Sequence, residues 1–321
     1  MENFSLKKSL NMSPTGIASF AKSEICVNIN DAQADIAVLG APFDMDIQGR
    51  SGCRMGPRGI REGSTRFGFK PGGTYNFERD TFYMDADKWK VIDCGDVDYI
   101  PGDPGGTAAN LTAAVEILAS KGIMPVILGG DCSVSYPMMQ GLNTIGTFDV
   151  IHFDAHLDWT KPLCGQKYFN GAPMRNVAGL PYVGRILHLG LRGQGSSGPD
   201  DFQDARKHGD GLYTVKAIHE MGIARILDEF KLSNRVVIHF DIDVMDASCA
   251  PATASPMFGG FMYDEVVDMF EAIAAKTTLA AMVMTEVAPP YDDQGGTTSY
   301  LAARLIADML GFATKEKESK K

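Results

Sequence analysis

From about residue 34 onward, short apolar runs alternate with longer amphipathic ones. Segments 34–40, 91–94, 124–128, 148–153, 185–191, 236–240 and 280–285 are short and almost unbroken in apolar side chains, the pattern of strands buried on both faces. Between them, 56–62, 107–121, 215–230, 263–276 and 299–312 show helical spacing, with Pro57 in one first turn and Gly122 closing another helix. A further helix is expected from Ser133, after the sharp turn Gly129-Gly130-Asp131. Strands alternating with helices predict an α/β class fold: three layers, α/β/α, around a mostly parallel central sheet. One domain is expected over 34–312, flanked by a polar N-terminal arm over 1–33 that packs on a neighbour and a charged, frayed C-terminal tail over 313–321. Residues 70–88 are expected to be a long loop. Residues 192–198 form a Gly-rich rim that matches neither a dinucleotide fingerprint nor a P-loop.

Two of the predicted strands end alike. Ile151-His152-Phe153-Asp154 is echoed by Ile238-His239-Phe240-Asp241. The first continues to His156 and Asp158, the second to Asp243. In extended chain, positions i, i+2 and i+4 point to one side, and open α/β sheets keep their ligand sites at the C-terminal strand ends. An Asp-x-Asp pair alone also marks turns and solvated faces. Two such clusters at matched strand ends, with an imidazole between the acids, call for a cation to offset their repulsion. Carboxylate with imidazole suits a borderline divalent ion such as Mn, Ni, Zn or Fe. His188 is expected in a strand and His208 and His219 at the surface, all with structural roles, as for His152 and His239.

Composition narrows the partners. The 321 residues are 45% hydrophobic and 22% charged, as in ordinary globular proteins, with a formal net charge of −10. No long basic stripe is present, which speaks against nucleic acid and anionic membrane and in favour of a small cationic substrate. Six cysteines (Cys26, Cys53, Cys94, Cys132, Cys164 and Cys249) form no CxxC pair and read as reduced thiols of a cytoplasmic protein. No apolar h-region follows Met1 and no run is long enough to span a membrane.

Gly129-Gly130-Asp131-Cys132-Ser133, Asp154-Ala155-His156-Leu157-Asp158 and Phe240-Asp241-Ile242-Asp243 resemble the three signatures of the ureohydrolase (arginase/agmatinase) superfamily. Asp246…Ala250-Pro251, Ser255-Pro256…Gly259-Gly260 and Thr285-Glu286-Val287 match in the same order, and Gly56-Pro57-Arg58-Gly59-Ile60-Arg61 looks like the agmatinase branch. The resemblance implies an arginase-like fold, a binuclear manganese or nickel centre, and hydrolysis of a guanidino C–N bond to release urea. It implies that Asp154 and Asp241 bridge the metals, that His156 and Asp243 complete one and Asp158 the other, and that Glu286 holds the guanidinium. Two ions can activate water against this resonance-stabilised carbon, a carboxylate anchors the planar cation, and Asp158 can pass a proton to the leaving amine. It also implies a homo- or hetero-oligomer, trimer or hexamer.

Two positions depart from the family. Cys132 stands where it writes a metal-binding His. A thiolate suits nickel or zinc better than manganese, and a buried Cys also serves as a small hydrophobe. Asn170 stands where agmatinase-like members write a proton-shuttling His, and an amide cannot titrate. Three functions follow. The first is a weak or non-catalytic subunit beside a catalytic homologue, as in heteromeric guanidine-compound hydrolases of the metformin-hydrolase type. The second is a catalytic agmatinase-like enzyme with an atypical Cys-containing centre. The third is a metal-free scaffold or binding protein.

Overall fold

In the computed structural model, which describes residues 12–319 apart from 46, 48, 162–164 and 195, the apolar runs gather into one sheet. The strands are β1 (Glu24–Ile25), β2 (Ile36–Gly40), β3 (Thr74–Asn76), β4 (Thr81–Tyr83), β5 (Val91–Asp96), β6 (Met124–Leu128), β7 (Phe148–Phe153), β8 (Val183–Leu191), β9 (Gly211–Thr214), β10 (Arg235–Asp241) and β11 (Thr278–Thr285). Nine of them pair in the order β1-β5-β2-β6-β11-β10-β7-β8-β9, all parallel. After β6 the chain crosses past two positions to β7, so β6, β11, β10 and β7 surround a topological switch point, where parallel sheets open a crevice beyond their C-terminal ends.

The helices are α1 (Gly56–Ser64), α2 (Pro104–Ser120), α3 (Ser135–Gln140), α4 (Pro173–Ala178), α5 (Pro199–His208), α6 (Val215–Met221), α7 (Ile223–Phe230), α8 (Tyr263–Lys276) and α9 (Thr297–Ser319). Strand alternation divides the core between the two sheet faces. Ile151, Phe153, Ile238, Phe240, Met282 and Met284 pack with α1 and α6–α9. Val150, Val237 and Val283 pack with α2–α5. These two cores make the expected three layers. His152, His239 and Thr285 share parity with the valines and so sit on the α2–α5 side.

Several expectations need correcting. The 70–88 segment is not all loop: β3 and β4 pair as an antiparallel hairpin with Tyr75 stacked on Phe82, strands too short to show a period. The helix expected over 215–230 breaks at Gly222, whose φ of 77° ends α6 and starts α7. Of the tail expected over 313–321, the part up to Ser319 continues α9, since Lys and Glu favour helix, and 320–321 lie outside the described residues. Residues 1–11 of the N-terminal arm lie outside the described ones, and residues after them also make contacts within their own chain. Phe20 is fully buried, its N–H donates to Asp93 Oδ2 at 2.7 Å, and Ala21 N–H donates to Ser64 Oγ at 2.8 Å.

Arg61 of α1 holds that corner. Its guanidinium donates to both oxygens of Asp93 (2.8 and 3.0 Å), to Asp96 Oδ1 (2.5 Å) and to Gly95 O (2.7 Å). Removing it strands a buried carboxylate, so Arg61→Leu should lower unfolding stability by about 3 kcal/mol. Urea denaturation checks this, and a change below about 1 kcal/mol would contradict it.

Candidate metal centre

Four strand ends converge at the switch point. Cys132 follows β6, Asp154 follows β7, Asp241 closes β10 and Glu286 follows β11. Gly130 makes the β6 turn possible: a Cβ there would lie 1.7 Å from the carbonyl oxygen of Phe43. Cys132, Asp154, Asp158, Asp241, Asp243 and Glu286 are buried, and His156 is half-buried.

The acids are oriented by backbone N–H groups two residues ahead. Asp154 Oδ1 accepts from His156 N–H at 2.6 Å, and Asp241 Oδ1 accepts from Asp243 N–H at 2.7 Å. The other oxygen of Asp154 stands 3.0 Å from His152 Nε2. Asp243 Oδ1 accepts from Ala155 N–H at 3.2 Å, tying the two strand ends together. His156 Nδ1 stands 3.0 Å from Asp243 Oδ2 and 3.4 Å from Asp154 Oδ1. The Cys132 thiol donates to Asp241 Oδ2 at 2.9 Å. Glu286 has both oxygens engaged, Oε1 by Cys132 N–H at 2.9 Å and Oε2 by the Cys53 thiol at 3.3 Å. Asp158 and Glu286 adopt left-handed backbone, φ 54° and 64°, a conformation that costs ~1–3 kcal/mol outside glycine and collects at functional sites.

Burial and mutual repulsion push the carboxyls of Asp158, Asp241 and Asp243 up, and burial takes Glu286 to about 7. Burial likewise raises the Cys132 thiol, with Asp241 and Asp158 adding to it. Burial works against charge on His156, but Asp243 and Asp154 prevail and raise it. Buried Asp154 Oδ2 and Asp158 Oδ2 make no hydrogen bond, although His152 Nε2 stands 3.0 Å from the former. Orphaned carboxylate oxygens facing an acid cluster are what an ion is needed to satisfy. Sets whose donor atoms lie within 4.8 Å of one another are Asp154–His156–Asp243, Cys132–Asp241–Glu286, His152–Asp154–Asp158 and Cys132–Asp154–His239. The residues therefore fit a divalent centre.

A cavity of about 150 Å³ opens onto these groups, lined by Cys132, His156, Asp158, Asn170, Asp241, Asp243 and Glu286 with Thr160, Phe169, Ser196 and Ser255. All the site residues expected from sequence thus meet at one place. Cys53 and Arg192 carry no sequence signal for the site, and His239 reads from sequence as a structural histidine. Cys53 touches Glu286 from a loop without any motif. Arg192 donates to the carbonyls of Gly190, Asp243, Met245, Met257 and Phe258, binding the rim to the Asp243 strand end. His239 stands opposite His152, and His152 opposite His188, in the sheet register, with ring centroids 4.6 and 4.9 Å apart. All three imidazoles are buried, and burial together with a neighbouring imidazole pulls His152 and His239 down. His208 is half-buried, bonded to Asp210 at 2.8 Å, and exposed His219 pairs with Glu265 at 2.6 Å.

Residues 34–311 match the arginase family. This chain belongs to it. The mitochondrial guanidino acid hydrolase of Homo sapiens is 29% identical over 303 residues, covering 92% of this chain and 83% of that protein. Proclavaminate amidinohydrolase of Streptomyces clavuligerus is 30% identical over 282 residues, covering 86% of this chain and 87% of its own. The solved structure of the Streptomyces clavuligerus enzyme superposes with a TM-score of 0.82 at 25% identity, over 95% of this chain and 99% of that one. A Trypanosoma cruzi formiminoglutamase solved with Mn²⁺ gives 0.76 at 26%, over 89% and 97%. Arginase-family relatives are hydrolases of C–N amidino bonds, act on small guanidino compounds, are often oligomeric, and normally carry a binuclear divalent centre, usually manganese. Among the described residues no helix is long and apolar enough to cross a membrane.

Proposed function

We propose that this arginase-family chain binds a divalent ion and a small guanidinium cation, and serves as the weak or silent subunit beside a more active homologue that cleaves a guanidino C–N bond to release urea. The observation that carries this is Glu286. Each of its oxygens already accepts one hydrogen bond, from Cys132 N–H and from the Cys53 thiol, so the carboxylate placed to grip a guanidinium keeps only part of its accepting capacity for paired hydrogen bonds to the cation. Asn170 on the cavity wall adds to it, since an amide carries no proton to exchange at neutral pH.

The remaining residues keep a working geometry. The acid-lined cavity draws in a cation. Asp154, His156, Asp241 and Asp243 would hold one ion, and Asp158 and Cys132 would flank a second. A divalent pair bound there supplies Lewis acidity and an activated water at neutral pH. Asp158, whose Oδ2 has no partner, faces the cavity, where it can hold a proton for a departing nitrogen. Oxygen donors and imidazole suit manganese at the first set, while the thiol side favours nickel or zinc.

A second reading, a catalytic enzyme acting alone, draws on the open cavity of about 150 Å³ and the unpartnered oxygens of Asp154 and Asp158. Those same oxygens weigh against a metal-free scaffold. Urea release from a panel of guanidine compounds, under manganese and under nickel, separates the two. The supporting reading expects near-background release by the chain alone and clear release with any homologue encoded beside it, from a cytoplasmic trimer or hexamer whose mass light scattering reports. A stable monomer, or strong turnover by the isolated chain, would contradict it.

A further inference from the structure

Beneath the acid cluster lies a donor set of different chemistry. Cys132 Sγ, an Asp154 carboxylate oxygen and a ring nitrogen of His239 lie within 4.8 Å of one another. All three residues are buried. They come from three neighbouring parts of the sheet: the turn after β6, the end of β7 and the body of β10, where His239 points to the same side as Asp241 two residues on. We infer that Cys132, Asp154 and His239 form a sulfur–nitrogen–oxygen site selective for a thiophilic divalent ion, zinc or nickel, one step deeper than the site made by Asp154, His156 and Asp243.

Spacing and chemistry agree. Cys132 Sγ and His239 Nε2 are 3.6 Å apart. A tetrahedral ion about 2.3 Å from sulfur and about 2.1 Å from nitrogen sets its two donors about 3.6 Å apart. Without an ion the same separation is a thiol–imidazole hydrogen bond. Buried Asp154 Oδ2 makes no hydrogen bond, with His152 Nε2 3.0 Å away. Thr285 Oγ1, 3.2 Å from His239 Nε2 and 3.3 Å from Cys132 Sγ, is shared between the two. The His239 ring is held upright by an 88° edge-to-face contact with His152. Binding releases the thiol proton, for which Asp241 Oδ2, at 2.9 Å, is the acceptor already in place. Thiolate and imidazole prefer zinc or nickel to manganese, so the two sites would sort ions by softness. The inference rests on the metal reading above and adds to it a ligand, His239.

The test uses the full chain stripped of metal and reloaded with zinc, nickel or manganese separately. X-ray absorption at the metal edge should show one sulfur neighbour and imidazole for zinc and nickel, and oxygen with imidazole but no sulfur for manganese. Cys132→Ser should remove the sulfur signal. His239→Asn should weaken zinc by about 100-fold or more, beyond the ~10–100-fold that losing an outer-shell partner costs, and leave manganese affinity within about twofold. Zinc without a sulfur neighbour in the unaltered protein, a measurement that needs no variant to fold, overturns this inference and leaves the centre at Asp154, His156 and Asp243 standing. Unchanged zinc affinity in His239→Asn also overturns it. Failure to bind any divalent ion overturns both this inference and the proposed function.

Discussion

Metal-free protein should lose stability as the pH rises through about 7, and a divalent ion should abolish that loss. Burial lifts Glu286 from its usual 4.5 to about 7. Asp158, Asp241 and Asp243 are raised in the same direction, by burial and by neighbouring carboxylates, Asp154 among them. An acid with a higher pKa folded than unfolded makes the folded state hold more protons. Its contribution is complete below the unfolded value and is lost as the pH climbs through the folded one. His156, raised by Asp243 and Asp154 against burial, loses its contribution in the same direction. For Glu286 alone the interval from 4.5 to about 7 corresponds to roughly 3 kcal/mol. A bound ion takes over the neutralising role of the protons, and at a hundred times its dissociation constant adds about 2.7 kcal/mol. Urea midpoints at about pH 5.5 and about pH 8, with chelator and with manganese, check this. Metal-free protein that is more stable at the higher pH would contradict it.

The double substitution Cys132→His with Asn170→His should raise the urea-releasing rate of the isolated, manganese-loaded chain by ~10²–10⁴-fold. The two changes act on different deficits. Cys132 is buried beside Asp241 and Asp158, where an imidazole is a better manganese donor than a thiol. Asn170 lines the cavity, where an imidazole can exchange a proton near neutral pH and an amide cannot. The substitutions differ in signature: Asn170→His should impose a pH dependence on the rate, and Cys132→His should raise manganese content per chain. Neither frees Glu286 from the Cys53 thiol, so turnover should stay below that of an active relative. A rate unchanged despite full manganese loading would place the deficit elsewhere, with Glu286 as the first position to examine.

The sheet was legible because parallel strands buried on both faces are almost wholly apolar. Runs such as 124–128 and 148–153 coincide with β6 and β7. The site was legible because Asp154, His156, Asp241 and Asp243 sit at strand ends with two-residue spacing. Its environment was less so. Cys53 reaches Glu286 across 233 positions of chain, a contact that only the tertiary fold creates. His239 was visible as a strand histidine, but its approach to Cys132 depends on the register that sets β10 between β7 and β11. The β3–β4 hairpin escaped notice because three-residue strands carry no period. The break at Gly222 was masked because α6 and α7 are both amphipathic and lie end to end in sequence.

The most direct test of the supporting role is to remove a carboxylate from this chain alone within its assembly. Asp241 is buried, bonded to Cys132 and oriented by Asp243 N–H, and losing a shared metal ligand should silence a working binuclear site. Urea release by an assembly reconstituted from this chain and the proposed catalytic homologue, carrying Asp241→Ala in this chain only and verified as folded and assembled, should remain close to that of the unaltered assembly. Collapse of the activity to background would show that this chain's own centre performs the reaction.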